Sequence, residues 1–428
     1  MTEVTGAETD DLRPLDESSN LLLVGGGQAS WMAAKALRRD GFAGRITLIG
    51  DERHPPYERP PLSKAILLGE AAADSCYLAE PEEMAALGVV RIFDRAIAID
   101  RGTPAVRTAG GGRFPYDRLL LATGGRPRPL PPGETAGPGI LLLRTLDDAE
   151  AIATRFLPGK HALIIGGGWI GLEVAASARR AGLAVTLVEA SARLCSRALP
   201  AEPAAFIAEL HRRQGVTLRL GRTLASLDIP DDRPGGVRAR LDDDSFVDAD
   251  FVIAGIGMAP DIALASDAGL ATDMGILVDE DGRTSDPAIF AAGDVTETQT
   301  PAGRIRQESW ANANEQAEAA AAAMLGLARP LRPPPWFWSD QFDINIQILG
   351  QLDGDASAVT GDPAAGDGCW FSFTGGVLTG VAAFNRPRDI QVIRRVLQRG
   401  IAVDPNFLAA AGDDLALLLR PRTDAQGD

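Results

Sequence analysis

The feature that most constrains this chain is a glycine-rich strand-to-helix turn that occurs twice, as LLLVGGGQAS over Leu21–Ser30 and as ALIIGGGWIG over Ala162–Gly171. In each copy an apolar run ends in a tight glycine turn and opens directly into a helix. The first N–H groups of that helix and the positive end of its dipole then face one point, which suits a pyrophosphate. A single GxGxx pattern is weak evidence. Here each copy is followed, about 20 residues on, by another apolar strand ending in an acid, as a ribose hydroxyl requires. These strands are Arg45–Glu52 (RITLIGDE) and Ala184–Glu189 (AVTLVE). Two such cradles imply two dinucleotides, each on its own β-α-β unit.

Within the first cradle Gly25 makes the turn, Gly27 lets backbone approach the pyrophosphate, and Gln28 and Ala29 open the helix. The third glycine position is held by Ser30, which is small enough to be tolerated. The second cradle has Gly166, Gly168 and Gly171 in the three places, with Ile170 in the helix's first turn. Glu189 ends the second strand, where a carboxylate accepts from a 2′-hydroxyl and repels a 2′-phosphate, so NADH is expected over NADPH. Arg193 and Arg197 lie just beyond; they either weaken that preference or contact the adenine or solvent. Gly50 occupies the place equivalent to Glu189, so the ribose acid of the first cradle is Asp51 or Glu52, with Asp51 favoured.

The chain's 428 residues are 45% hydrophobic and 23% charged, enough for two or three cores. Residues 1–19 are acidic and polar, lack the apolar stretch of a signal peptide, and are expected to be a disordered tail. No run supplies the roughly 20 apolar residues of a bilayer span, so a cytoplasmic protein with no membrane partner is expected. A formal charge of −16 opposes nucleic acid as a partner. Cys76, Cys195 and Cys369 form no CxxC or wider pair, and His54, His161 and His211 are scattered, so neither a dithiol nor a metal site is expected. Lysine occurs only as Lys35, Lys64 and Lys160.

The expected plan is α/β: residues 20–126 and 251–329 as one Rossmann-like domain, 127–250 as a second inserted into it, and 330–428 as a small α+β domain. The inserted domain is entered through a proline-rich crossover at 127–138. Phe251–Asp261 echoes the exit segment Tyr116–Arg128, as expected where a chain returns from an insertion to its first sheet.

The order of motifs resembles that of FAD-dependent NADH:ferredoxin reductases of oxygenase systems, the putidaredoxin reductase and biphenyl dioxygenase reductase component type, from about Asn20 to Gly400. Besides the two cradles, the resemblance is carried by Arg59-Pro60-Pro61-Leu62-Ser63-Lys64, Ala122-Thr123-Gly124, Gly171-Leu172-Glu173, Ala292-Gly293-Asp294, Glu308-Ser309-Trp310 and Trp336-Phe337-Trp338-Ser339-Asp340-Gln341. It implies a glutathione-reductase-like architecture with FAD in the first cradle and NADH in the second. Arg59, Ala122, Thr123, Gly124, Gly257 and Gly293 join the cofactor-binding set, Asp294 is implied on the ribityl chain, Arg128 on the FAD phosphates, and Trp310 and Trp338 at the flavin edge. Lys64 and Glu173 are implied as the catalytic pair beside the flavin N5, a fixed cation for the reduced ring and a carboxylate that limits that charge and moves when nicotinamide stacks.

The implied activity is transfer of electrons from NADH through FAD, one at a time, to a small acidic iron-sulfur ferredoxin that feeds a monooxygenase or ring-hydroxylating dioxygenase. An acidic reductase then needs a local basic patch, for which Arg386, Arg388, Arg394, Arg395 and Arg399 are candidates. Rivals on the same fold are a rubredoxin reductase, an NADH oxidase or peroxidase, and a coenzyme A disulfide reductase. The thiol-dependent ones need a reactive cysteine soon after the second strand, where this chain has His54, Pro55 and Pro56. A redox-signalling flavoprotein similar to apoptosis-inducing factor would use a basic nucleic-acid surface. The sequence leaves monomer and weak dimer open.

Overall fold

In the computed structural model the described residues are 13–130, 139–230, 235–301, 303–405, 408 and 415–419, and the chain divides into two compact units. The first comprises Met1–Pro61, Ala72–Arg126 and Met258–Arg332; the second comprises Leu62–Ala71, Pro127–Gly257 and Pro333–Asp428.

The first unit is built on a five-stranded parallel sheet in the order Ile289–Ala291, Arg118–Leu121, Asn20–Val24, Arg45–Gly50, Val89–Phe93. Each inner strand is apolar beyond its first residue, Thr47 excepted, because helices or further strands cover both faces. From Asn20–Val24 the chain winds to one side, then returns to place Arg118–Leu121 on the other, which creates a switch point at the carboxyl end of the cradle strand. The cradle helix Gln28–Arg39 buries Ala33, Ala34 and Leu37 in one cluster with Ala317, Ala320 and Ala321 of the helix Trp310–Met324. Alanine on both sides is what permits two helix backbones to approach closely.

The second unit repeats the plan in its own parallel sheet, ordered Val216–Leu220, Ala184–Glu189, His161–Ile165, Phe251–Ala254, Ile140–Leu142. It also holds an antiparallel sheet ordered Trp336–Gln341, Ile344–Gly350, Val377–Phe384, Asp367–Thr374, Ala356–Asp362. The helix Pro387–Arg399 packs Ile390, Ile393 and Val396 on that sheet, opens with proline, where the missing N–H costs nothing, and ends at Gly400, φ +61°.

Three expectations need correction. Phe251–Ala254 pairs with His161–Ile165 in the second sheet, so the return to the first unit comes at Met258 and not at residue 251. The echo of Tyr116–Arg128 arises because Phe251–Ala254 occupies, in the second sheet, the place Arg118–Leu121 holds in the first. Residues 62–71, expected with the first domain, group with the second unit. Of the expected disordered tail, residues 13–19 are folded: Ser19 is buried, its carbonyl accepts from Arg45 N at 2.9 Å, and the Arg13 carbonyl accepts from Arg118 Nη2 at 2.8 Å. Residues 1–12 and most of the crossover at 127–138 lie outside the described residues. Among the described residues no helix is long and apolar enough to cross a membrane.

Candidate functional site

Sterics fix the first cradle. Gly25 sits at φ +120°, and a Cβ there would lie 2.1 Å from the carbonyl oxygen of Ala122, so the cradle is flush with Ala122-Thr123-Gly124 at the switch point. Those residues are tied in turn to the chain beyond, through Thr123 Oγ1 to the Asp261 carbonyl at 2.8 Å. Gly27 is the N-cap of the cradle helix and no side chain caps it, so its leading N–H groups are left for a ligand. The space a Cβ would take at Gly27 is open, with Arg59 Nη2 3.9 Å away. Gln28 donates from Nε2 to Asn314 Oδ1 at 2.7 Å, while its Oε1 is buried without a partner. Ser30 is fully buried in the cradle helix, which also contains Ala29. Gly293 closes against this helix, since a Cβ on it would stand 3.2 Å from that of Ala29, and its N–H donates to Gln316 Oε1 at 2.8 Å.

The acids follow a similar logic. Asp51 is exposed and Glu52 half-buried; Glu52 accepts from Arg59 Nη2 at 2.6 Å and from the Tyr57 hydroxyl. Gly50 replaces an acid at the strand end because a Cβ there would come within 2.8 Å of Gly26 Cα. Burial works against the charge on Arg59, but Tyr57, Glu52 and Asp294 more than offset it, so its pKa lies above the ordinary arginine value. Arg59 and Asp294 thus share one electrostatic environment with the first cradle. Trp310 begins the helix capped by Ser309 and donates from Nε1 to Glu58 Oε1 at 3.2 Å.

The second cradle is nearly a copy. Gly166 sits at φ +110° with a notional Cβ 2.3 Å from the Gly255 carbonyl, and a Cβ on Gly171 would lie 2.1 Å from the Gly166 carbonyl. The helix Trp169–Arg180 has Gly168 as an N-cap with no capping side chain, and Ile170 in its first turn is exposed. Glu189 accepts from Gly167 N at 2.6 Å and Ser191 N at 2.7 Å, which aims its carboxylate along the cradle. Arg193 spends its guanidinium on the carbonyls of Leu199 (3.0 Å) and Ser196 (3.2 Å). Arg197 Nη2 and Arg128 Cδ each lie 3.8 Å from a notional Cβ on Gly257, so Arg128 belongs to the unit of the second cradle.

Lys64 and Glu173 meet inside the second unit, Nζ to Oε2 at 2.7 Å, with the Glu173 side chain only 4% exposed. Glu173 is the fifth residue of its helix and opens the second turn. Sequence reasoning missed its other donors: Ser63 Oγ also reaches Oε2, and Ser339 Oγ reaches Oε1 at 2.6 Å. Ser177 Oγ holds the Ser63 carbonyl at 2.8 Å, pinning the Lys64 turn to the Glu173 helix. Trp338 stacks on Trp336 with centroids 4.9 Å apart and 17° between planes. Of the five arginines, Arg386 pairs with Asp367 and Arg394 lies over the Trp336 ring at 5.3 Å, whereas Arg388, Arg395 and Arg399 are exposed.

All three cysteines are free and buried. Burial pushes the Cys369 thiol up to about 12 and raises Cys76 as well; Cys195 is driven up by burial, with Glu189 and Glu173 adding to it. None offers a thiolate at neutral pH.

The cradles fit two dinucleotides: two uncapped helix ends, open space at Gly27 and Gly168, and an orphaned acceptor on Gln28 suited to a sugar hydroxyl. Residues 19–317 match the pyridine nucleotide-disulphide oxidoreductase family, and residues 336–419 match the reductase C-terminal family. The chain is 38% identical over 401 residues to putidaredoxin reductase of Pseudomonas putida, covering 92% of this chain and 95% of that protein. It is similar to the putidaredoxin reductase in a covalent putidaredoxin reductase–putidaredoxin complex (TM-score 0.89, 38% identity, 94% of this chain and 99% of that one). It is also similar to the ferredoxin reductase for the CYP199A2 system from Rhodopseudomonas palustris (TM-score 0.89, 36% identity, 93% and 99%).

Proposed function

Because this chain belongs to the pyridine nucleotide-disulphide oxidoreductase family and carries that family's reductase C-terminal domain, we propose that it is an FAD-dependent NADH:ferredoxin reductase. It draws electrons from NADH and delivers them singly to a small iron-sulfur ferredoxin serving an oxygenase. The observation that carries this reading is the Lys64–Glu173 pair with its carboxylate buried, in a chain whose three cysteines are free and have their thiol pKa values raised by burial. Family relatives that reduce disulphides need a thiol relay; a charge-regulating pair with no such relay suits direct passage to a one-electron carrier.

FAD, when bound, supplies the conversion of a two-electron donor into one-electron steps. The chain's own residues position and regulate. The uncapped helix at Gly27 holds the FAD pyrophosphate, the exposed Asp51 takes its ribose while Glu52 is ion-paired to Arg59, and Gln28 Oε1 accepts a hydroxyl. Asp294, beside Arg59, takes the ribityl chain. In the second cradle Glu189 takes the nicotinamide-dinucleotide ribose, and Arg193 is turned to the carbonyls of its own loop, which favours NADH. Lys64 supplies fixed positive charge to the reduced ring and Glu173 limits it. Trp310 and Trp338 shield the flavin edge from water. Arg388, Arg395 and Arg399, at a spacing of seven and then four positions along one helix face, offer an acidic ferredoxin a basic stripe on an otherwise acidic protein.

The test is NADH-dependent reduction of cytochrome c with and without added ferredoxin. Strong dependence on ferredoxin is the expected result; equally fast NADH consumption with oxygen alone would favour the oxidase reading.

A further inference from the structure

The motif Trp336–Gln341 contributes more than an aromatic side chain. Along this strand alternate residues share a face, and Ser339 and Gln341 are both fully buried. Gln341 Oε1 lies 2.9 Å from His211 Nε2, and an amide oxygen only accepts, so His211 carries its proton on Nε2. Gln341 Nε2 then donates to Ser339 Oγ at 3.1 Å, which leaves the serine hydrogen for Glu173 Oε1 at 2.6 Å. Every link donates in the same direction and the series ends on the carboxylate. At its far end His211 is fully buried, meets the edge of Phe342 at 5.1 Å, and has Nδ1 without a partner. Burial pushes this imidazole down to about 4, in keeping with a neutral ring.

We infer that Ser339, Gln341 and His211 are positioning residues for Glu173: a directed series of donors through which the antiparallel C-terminal domain holds the Glu173 carboxylate against Lys64. Lys64 and Ser63 both bind Oε2, so Ser339 alone holds Oε1 among the described residues. Without its hydroxyl one carboxylate oxygen is buried with no donor, and the group is free to turn from Lys64. Lys64 is ion-paired to the carboxylate, and the Cys195 thiol feels its charge. The inference rests on the reading of Lys64 and Glu173 as the flavin-side pair.

The test uses the FAD-loaded enzyme mixed with NADH in a stopped-flow instrument, recording flavin absorbance. Ser339→Val deletes the donor and matches Ser339→Thr in shape; its limiting rate of flavin reduction should fall about tenfold, near the lower end for a lost bond to a charged acceptor, with the apparent NADH affinity held within about twofold. Ser339→Thr should restore the rate, and Gln341→Met should show a smaller loss of the same kind. If Ser339→Val does not retain FAD, Ser339→Ala carries the same comparison. A wild-type rate in the hydroxyl-free variant, or a threonine variant as slow as valine, overturns the inference. Glu173→Gln separates the two levels: if it slows reduction while Ser339→Val does not, the donor series fails alone; if Glu173→Gln is also wild-type, the underlying pair assignment fails.

Discussion

Replacing Glu189 with alanine should collapse the preference for NADH over NADPH. The carboxylate ends its strand held by the amides of Gly167 at 2.6 Å and Ser191 at 2.7 Å, so it is fixed before any nucleotide arrives. A ribose hydroxyl donating to a charged acceptor contributes about 1.5–3 kcal/mol. A phosphate charge about 4 Å away, at an effective dielectric near 20, is repelled by about 4 kcal/mol, roughly halved for a half-exposed group. Taking about 2 kcal/mol from each effect, the ratio of kcat/KM for NADH to that for NADPH should fall about a thousandfold. Glu189→Gln, which keeps an acceptor and loses the charge, should fall between. Steady-state rates with a saturating electron acceptor give both constants. A ratio that stays within about threefold of wild type would refute the assignment of Glu189 to the ribose.

Other consequences follow from the same geometry. Gly25→Ala puts a methyl 2.1 Å from the Ala122 carbonyl at φ +120°, so the variant should purify without FAD or not fold; stoichiometric flavin at an unchanged Tm would contradict the cradle. Charge reversal at Arg388 and Arg395 should raise the KM for ferredoxin about tenfold at low salt, with the difference vanishing as salt screens the surface; an unaltered KM would exclude the stripe. His211 titrates near 4 folded against 6.5 unfolded. The unfolded chain therefore binds the extra proton first, and stability is complete above about pH 6.5 and falls by about 3 kcal/mol as pH drops to about 4. Denaturant titrations of wild type and His211→Phe across that window should show the steeper fall in wild type, the difference being the His211 share.

Much of this was legible in the sequence, and the reason is steric. A turn that admits only glycine at φ +120° or +110° leaves a mark that periodicity alone does not, and the strand-end acids confirm its register. Pseudo-repetition then misled: Phe251–Ala254 reads like Arg118–Leu121 because it is that strand's counterpart, and sequence likeness does not say in which sheet a strand lies. The donors on Glu173 were hidden for another reason. Ser339 is 166 positions and Ser63 110 positions from Glu173 along the chain, and nothing local marks a serine as facing a particular carboxylate. The one available signal was the polar pair Ser339 and Gln341 at alternate positions of a strand, a costly pattern on a buried face unless each finds a partner. The ribose acid of the first cradle stayed ambiguous because Gly50, forced by its approach to Gly26, displaces the acid from its usual place.

The central claim is that flavin is reduced by NADH and reoxidised by ferredoxin in one polypeptide without a thiol step. Anaerobic stopped-flow on the FAD-loaded triple variant Cys76→Ser, Cys195→Ser, Cys369→Ser tests it most directly, with NADH in the first mix and ferredoxin in the second. The account predicts bleaching and recovery of flavin absorbance at wild-type rates. Loss of either phase in a variant that still binds FAD would contradict it.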